Sequence, residues 1–512
     1  MMPWLRRHWD LVIPILIAGF SAILYRAVLA APILGYDSFA LIITSRIRSH
    51  SEFIDTFTNV MMDGRLDVGD FYRPVANLSY ALDYALGGFE PNGYQLTSLL
   101  TFCAAVLVLY LLMRRLLGPN AWIGPTLATL FFALHPATLT ILPYVARRSV
   151  PLMLIFAGLA LLALPKQAGR GDWRRLLLAG LLAAFSMASK ANGICTLGLI
   201  FIHQALSAQT QGIGEALRRG ARAVAIAIGP SLVVLLARVS VIGGIGGYHI
   251  SESQSYAEKF VDWGPKYVAS ILSPEYWSSP ALDLLLPLAS ALLLIGLCIG
   301  IIWKNWQSGG TCLDGIPRVI CLGAAFFGAL VILAANSMHF TPRYSMAMSF
   351  ATALVIGAVA EAATRLAFGR ADRGGVPVEA SRPGVLPILL AGGLAAVCGM
   401  ALQGSILIRS YPEWTRATRT QTQFLTALEQ KIESSPPYEY IAVNIRRSEP
   451  VISRTVEPFW MLAPWGLQAW LDLRFPERPY KVILTPRHGV DTSVFAPVTL
   501  HPLRADSTEI SN

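Results

Sequence analysis

Asp37 is the residue of this sequence best placed to act as a base. It stands in Ala31-Pro32-Ile33-Leu34-Gly35-Tyr36-Asp37, a few residues beyond a long apolar run. A carboxylate at that boundary is costly to keep, which makes it a functional candidate by default. The same position also suits a helix cap, since Asp37-Ser38 precedes the stretch 39–47. Cations recur at matching boundaries: Arg73 in Phe71-Tyr72-Arg73-Pro74, Arg147 with Arg148, Lys190 and Arg343. One such cation would be a snorkelling side chain or an ion-pair partner. Several on one leaflet, beside an acid-rich loop, fit an anionic headgroup such as a phosphate or pyrophosphate. Tyr344 and His135, the latter in His135-Pro136, would add hydrogen-bond donors, although a histidine before a helix-ending proline also reads as a cap. Among the loop acids Glu52, Asp55, Asp63, Asp67, Asp70 and Asp83, most read as solvated surface, and Asp70 is the second candidate acid. The 6 cysteines fall mostly inside apolar stretches, so they read as packing residues, with no metal cluster and no disulfide framework.

Bringing those residues to one surface requires membrane helices, and the composition supplies them. Of 512 residues 54% are hydrophobic and 14% charged, with mean hydropathy +0.52, which excludes an ordinary soluble enzyme. Apolar runs predict spans at 11–31, 95–113, 121–136, 150–165, 175–189, 193–208, 222–242, 281–303, 318–336, 344–364 and 385–407, about eleven transmembrane helices. Several are short, as expected of helices that stop early to line a cavity. The first is read as an anchor, although Val28-Leu29-Ala30 resembles a signal-cleavage site. With a cytoplasmic N-terminus, the inner loops hold Arg6, Arg7, Arg114, Arg115, Lys166, Arg174, Arg175, Arg218, Lys304, Arg318 and Arg365, in keeping with the positive-inside rule. That placement, rather than nucleic-acid binding, accounts for the net charge of +10.

Three polar segments then face outward: 32–94, 243–280 and 408–512. The expected architecture is mainly α, a polytopic membrane domain over 1–407 with first outer loop 32–94, followed by a small extracytoplasmic α/β domain over 408–512. In that tail a helical stretch runs from Pro412 to Glu433, Pro436-Pro437 breaks it, and Tyr440–Ile445 and Lys481–Leu484 read as strands. Linkers are expected at 369–384 and 434–437.

The run Tyr72-Arg73-Pro74-Val75-Ala76-Asn77-Leu78-Ser79-Tyr80-Ala81-Leu82-Asp83-Tyr84, followed by Gly93-Tyr94-Gln95-Leu96, resembles the first-loop signature of the transmembrane and tetratricopeptide-repeat O-mannosyltransferases and their bacterial relatives. Those are polytopic glycosyltransferases of the GT-C type. Tyr36-Asp37, His135-Pro136, Tyr144-Val145-Ala146-Arg147-Arg148, Ser189-Lys190 with Gly193, and Arg343-Tyr344 are similar pieces in the same order. Where the family has a second acid this sequence has Ser38, its Gly before the arginine is Arg147, and its Glu before Arg-Tyr is Pro342. The tail shows no 34-residue repeat.

The resemblance implies an inverting transfer of a sugar from a polyprenyl-phosphate donor to an acceptor hydroxyl on the extracytoplasmic face. Asp37 would be the general base, and Arg343, Lys190, Arg148, Arg73, Tyr344 and His135 the donor-phosphate ligands. The acceptor is a protein, lipid or glycan. No resident cofactor is implied, a divalent metal being left open, and the expected location is a bacterial inner membrane with the N-terminus cytoplasmic and the C-terminal domain periplasmic. Two alternatives remain. An O-antigen ligase or polymerase would carry a large late outer loop, and the loop 243–280 with His249, Lys259 and Lys266 is modest. A lipid-linked sugar transporter would put ionisable residues at mid-membrane, where Arg26 and Arg238 are the candidates.

Overall fold

The computed structural model describes residues 3–368 with breaks at 65–68, 166–170, 208–211, 245–246, 249–254, 274–284, 308–314, 336 and 338–339. Beyond 368 it describes 399, 402–409, parts of 412–434, 440–443, 464–477 and 481–484. Apolar runs become helices because only internal backbone hydrogen bonding satisfies a chain in lipid. The bundle begins with α1 (Pro3–Leu24). The first polar segment carries α2 (Tyr36–Thr44), α3 (His50–Thr58) and α4 (Pro74–Gly87). Then come α5 (Pro91–Leu117), α6 (Ile123–Leu134), α7 (Ser149–Ala163), α8 (Trp173–Ser189), α9 (Cys195–Ala205) and α10 (Ile213–Ile242). α11 (Tyr256–Leu272) lies in the second polar segment, and α12 (Leu285–Gln307), α13 (Ile316–Ala334) and α14 (Ser345–Phe368) follow.

The chain is thus a mainly helical, integral membrane protein. Among the described residues, 5 helical stretches are long and apolar enough to cross a membrane: Pro91–Leu117, Val145–Ala163, Ile213–Ile242, Ile316–Ala334 and Pro342–Leu366. Each expected span up to 344–364 falls on a helix. The last, 385–407, lies mostly outside the described residues, as does the linker 369–384.

The first span corrects the sequence expectation. α1 stops at Leu24, and Arg26–Ala30 form a tight 3-10 turn instead of continuing it. The buried Tyr25 phenol, donating to the Ala133 carbonyl at 2.8 Å, ties the chain to the end of α6 at that point. Arg26 therefore sits beyond the helix and exposed rather than inside a span.

Close approach of helices comes from small residues. α6 crosses α14 where Gly124 faces Gly357, and a Cβ on Gly124 would stand 2.4 Å from the Gly357 carbonyl oxygen. One turn on, Glu361 of α14 accepts from the Gly124 amide at 3.2 Å. Helix termini sort to two ends of the bundle. One end gathers Tyr25, Ala133, Val145, Lys190 and Tyr344, and the other gathers Leu117, Gly124, Leu164, Leu206, Arg318 and Glu361. Among the described residues, Arg115, Arg318 and Arg365 fall at the second of these ends and Lys190 and Arg343 at the first.

Two apolar clusters hold the molecule. The larger runs through the bundle, from Tyr25 and Phe102 to Phe350 and Leu354. The second lies outside it, where Ile33, Phe39–Ile43, Tyr80 and Val145 pack with Leu425, Leu428, Ile432, Leu467 and Trp470 of the C-terminal segment. β1 (Gly69–Asp70) pairs antiparallel with β2 (Gly247–Tyr248), joining the first two polar segments. In the tail, β3 (Tyr440–Val443) and β4 (Lys481–Leu484) pair in parallel, and the helix Pro464–Arg474 between them packs on α2.

Candidate active site

Asp37 lies in the first turn of α2, where the helix dipole favours a negative charge. The turn that delivers it is made by Gly35, whose φ of +90° disfavours any side chain, and a Cβ there would also press to 3.2 Å from the Tyr144 ring. Ser38, at the position of the family's second acid, is fully buried and works on the backbone. Its hydroxyl donates to the Leu34 carbonyl (2.6 Å) and accepts from the Ala146 amide (3.2 Å), pinning the 144–148 turn to α2. Tyr80 of α4 caps this arrangement by donating to the Val145 carbonyl at 3.1 Å. Burial pushes the pKa of its phenol up to about 12, a rise that the positive charges of Arg148 and Arg73 offset in part.

Lys190 ends α8 in an extended conformation, and the turn Pro342–Tyr344 leads into α14. Together they place two cations on one ring. Lys190 Nζ stands 4.9 Å from the Tyr344 ring centroid and the Arg343 guanidinium 5.7 Å from it. Tyr267 of α11 meets Tyr344 edge-on at 6.4 Å and fixes its orientation. Burial, then the charges of Arg73, Arg343 and Arg147, hold the Lys190 ammonium well below the usual lysine range. The Arg147 guanidinium covers Tyr144 at 3.9 Å and donates to the Thr140 carbonyl. Lys190, Asn192, Arg343 and Tyr344 line a narrow cleft that continues onto Leu330 and Met348 and is too tight as it stands to admit a water molecule. A polar, cationic mouth over an apolar wall suits an anionic headgroup on a hydrocarbon tail.

Lys190, Arg343 and Tyr344 are thus brought together, and the charge of Arg73 also reaches Lys190. Arg148 does not join them. It is 1% exposed and spends its guanidinium on Asp83 (2.6 Å), the Tyr94 carbonyl (2.7 Å), the Ser79 carbonyl (3.2 Å) and Ser98 (3.3 Å). Asp83, expected on the surface, is buried by the same pairing and also accepts from Thr97 at 2.6 Å. His135 is held as a cap. Its Nδ1 accepts from the Ala137 amide at 3.1 Å, its ring packs on Phe131, and burial lowers its pKa to about 4. Asp70 sits half-buried in β1, opposite Gly247. Among the described residues no three His, Cys, Asp or Glu side chains come together as metal ligands.

Arg147, one of the boundary cations of the sequence, carries a charge that reaches Lys190. Arg238 is expected inside a span, where a charge is a functional candidate by itself. The structure puts it near the C-terminal end of α10 and not at mid-helix.

No family model matches the chain. A segment of 138 residues, 26% of the chain, is 34% identical to the protein O-mannosyl-transferase tmtc2 of Xenopus laevis. Similar matches reach 31% over 137 residues with Tmtc1 of Drosophila melanogaster and 33% over 137 residues with human TMTC2. The matched segment spans 16% of each of these relatives. Among solved structures, the chain is similar to ArnT from Cupriavidus metallidurans, with TM-score 0.45 and 13% identity over 91% of this chain and 89% of that one. It is also similar to the Archaeoglobus fulgidus oligosaccharyltransferase, with TM-score 0.45 and 11% identity over 95% of this chain and 65% of that one.

Proposed function

We propose that this chain is a membrane glycosyltransferase of the GT-C type, transferring a sugar from a polyprenyl-phosphate donor to an acceptor hydroxyl, with Asp37 as general base. The observation that carries the reading is the convergence of Lys190 and Arg343 on the Tyr344 ring, with Arg73 and Arg147 acting on Lys190, beside a narrow cleft that continues onto apolar side chains. The partial likeness to protein O-mannosyl-transferases supports it and suggests mannose. Asp37 takes the acceptor's proton as that oxygen bonds to the sugar's anomeric carbon. The bond from that carbon to the phosphate oxygen breaks on the opposite face, its electron pair leaves with the phosphate, and the carbon inverts. Negative charge grows on the leaving polyprenyl phosphate, and fixed cations at that point lower the barrier. Lys190, Arg343 and Arg73 fill this role, with Tyr344 orienting two of them. Arg148 and His135 hold the scaffold instead.

The reading carries an orientation. The Asp37 end of the bundle faces the extracytoplasmic side, with about eleven spans, a cytoplasmic N-terminus and the segment 408–512 outside, as in a bacterial inner membrane. The test is Asp37→Asn, close to isosteric, in membranes supplied with polyprenyl-phosphate mannose. Transfer is expected to fall by about 10²–10⁴-fold at unchanged protein level. Undiminished transfer would remove Asp37 from the reaction and turn attention to Asp70.

A further inference from the structure

Three consecutive carbonyls lead into the Asp37 turn, and each is held by a side chain. Gln95 of α5 donates to the Pro32 carbonyl (3.1 Å) and also to that of Pro143 (3.2 Å). Gln421, from the C-terminal segment, donates to the Ile33 carbonyl at 2.6 Å. Ser38 donates to the Leu34 carbonyl. Gln95 and Ser38 are 0% exposed and Gln421 is 1% exposed. An irregular buried segment needs such donors, since each unpaired carbonyl costs about as much as a lost hydrogen bond. Here they also fix the path of the backbone just before Gly35 turns it and α2 presents the acid.

Gln421 is the remote member of this set, 388 residues from its partner. Apolar packing holds it there. Leu425, Leu428 and Ile432, spaced to share one helix face, are buried in the same cluster as Ile33 and Phe39–Ile43. Leu467 and Trp470 of the helix Pro464–Arg474 belong to that cluster, and the helix lies on α2. Two of the cations rest on other supports. Lys190 and Arg343 project from turns joined to α8 and α14, whose buried faces belong to the bundle core. Lys190 and Arg343 therefore stand on a foundation separate from the acid's, whereas Arg73 leads into α4, which shares the second cluster with α2.

We infer that Gln421 is a positioning residue for Asp37, and that the C-terminal segment is part of the catalytic apparatus, setting where the base stands. The inference rests on the reading of Asp37 as base. Its consequence is a separation of effects. Loss of the Gln421 donor lets the 32–35 segment shift, and a displacement near 1 Å at a reacting group costs on the order of 10²-fold in rate. Lys190 and Arg343 do not move, so the phosphate is still bound. A purely structural glutamine would lower the amount of folded protein, leaving turnover per folded molecule unchanged.

The experiment uses the full chain in lipid nanodiscs, with Gln421→Leu and Gln421→Met compared with the parent and with Asp37→Asn. Binding of undecaprenyl phosphate and kcat for transfer from polyprenyl-phosphate mannose are both normalised to folded protein. Expected are a kcat lowered about 10-fold to 100-fold and an undecaprenyl-phosphate affinity within about twofold of the parent. Two variants are used so that a fold defect in one leaves the other to be read. Parental kcat in either Gln421 variant, with Asp37→Asn inactive, overturns the inference and leaves Asp37 as base. Equal losses of binding and kcat overturn it as well. Full turnover by Asp37→Asn overturns the underlying reading, and this inference with it.

Discussion

Arginines stand at both ends of this helical bundle, and they are satisfied in opposite ways. At the end away from Asp37, Arg115 donates to the Leu164 carbonyl, Arg318 to that of Leu206 (3.2 Å) and Arg365 to that of Leu117 (2.5 Å). These carbonyls lie at helix C-termini, where the dipole is negative and acceptors are otherwise unused. Arg365 also reaches Glu361 at 3.4 Å. At the Asp37 end, Lys190 and Arg343 share one aromatic ring, and the charges acting on Lys190 are all positive. Saturated cations tie helices together. Cations that repel one another cost stability until an anion arrives, and its binding relieves that cost. The same residue type is therefore a fastener at one end and a ligand site at the other.

Arg148 gives the largest expected effect, because it lies at the Asp37 end yet belongs with the fasteners. Arg148→Met leaves Asp83 buried without its charge partner, a change worth about 3–5 kcal/mol of destabilisation. Chemical unfolding in detergent measures it. A parental midpoint would place Arg148 with the ligand cations and blur the distinction.

Next comes Lys190→Met. It removes a charge whose neighbours are cationic, so the thermal midpoint should hold or rise, while transfer falls about 10²–10³-fold. Arg365→Met at the other end should behave in reverse, losing about 1.5–3 kcal/mol for its charged hydrogen bonds with turnover per folded molecule unchanged. A stability loss in Lys190→Met of the same size as in Arg365→Met would break the comparison.

Much of this arrangement is legible in the sequence, for local reasons. Hydropathy is written in consecutive residues, so the apolar runs up to 344–364 fall on helices. The spacing of charges relative to those runs sorts the cations to two ends. The tail's strands at Tyr440–Val443 and Lys481–Leu484 follow from β-branched and aromatic runs in the same way. Pairings across the chain are not legible. Nothing near Arg148 announces that Asp83 will meet it, and both look alike to a charge count. Nothing near Gln421 announces the Ile33 carbonyl, because the donor is one amide and the acceptor a backbone group that every residue carries. The early end of α1 has the same origin, since Tyr25 turns aside toward a carbonyl on α6.

His135 offers the smallest effect and a separate check on which groups bind phosphate. Buried against Phe131, with Nδ1 accepting from the Ala137 amide, it stays neutral down to about pH 4, whereas in the unfolded chain it titrates near 6.5. Between those values the unfolded chain takes up a proton that the folded chain refuses. Stability therefore falls as pH drops through this window, by about 1.4 kcal/mol per pH unit, and the loss ends near pH 4. Above 6.5 His135 contributes no slope. Asparagine can keep the cap, since its side-chain oxygen also accepts from a helix N-terminal amide. His135→Asn should thus flatten the dependence of the thermal midpoint on pH between about 6.5 and 4 while undecaprenyl phosphate still binds. A donor-phosphate ligand would give the opposite pair of results, weakened binding with the acid slope intact, because the slope would then belong to other groups. That outcome would move His135 across the line that separates scaffold from site.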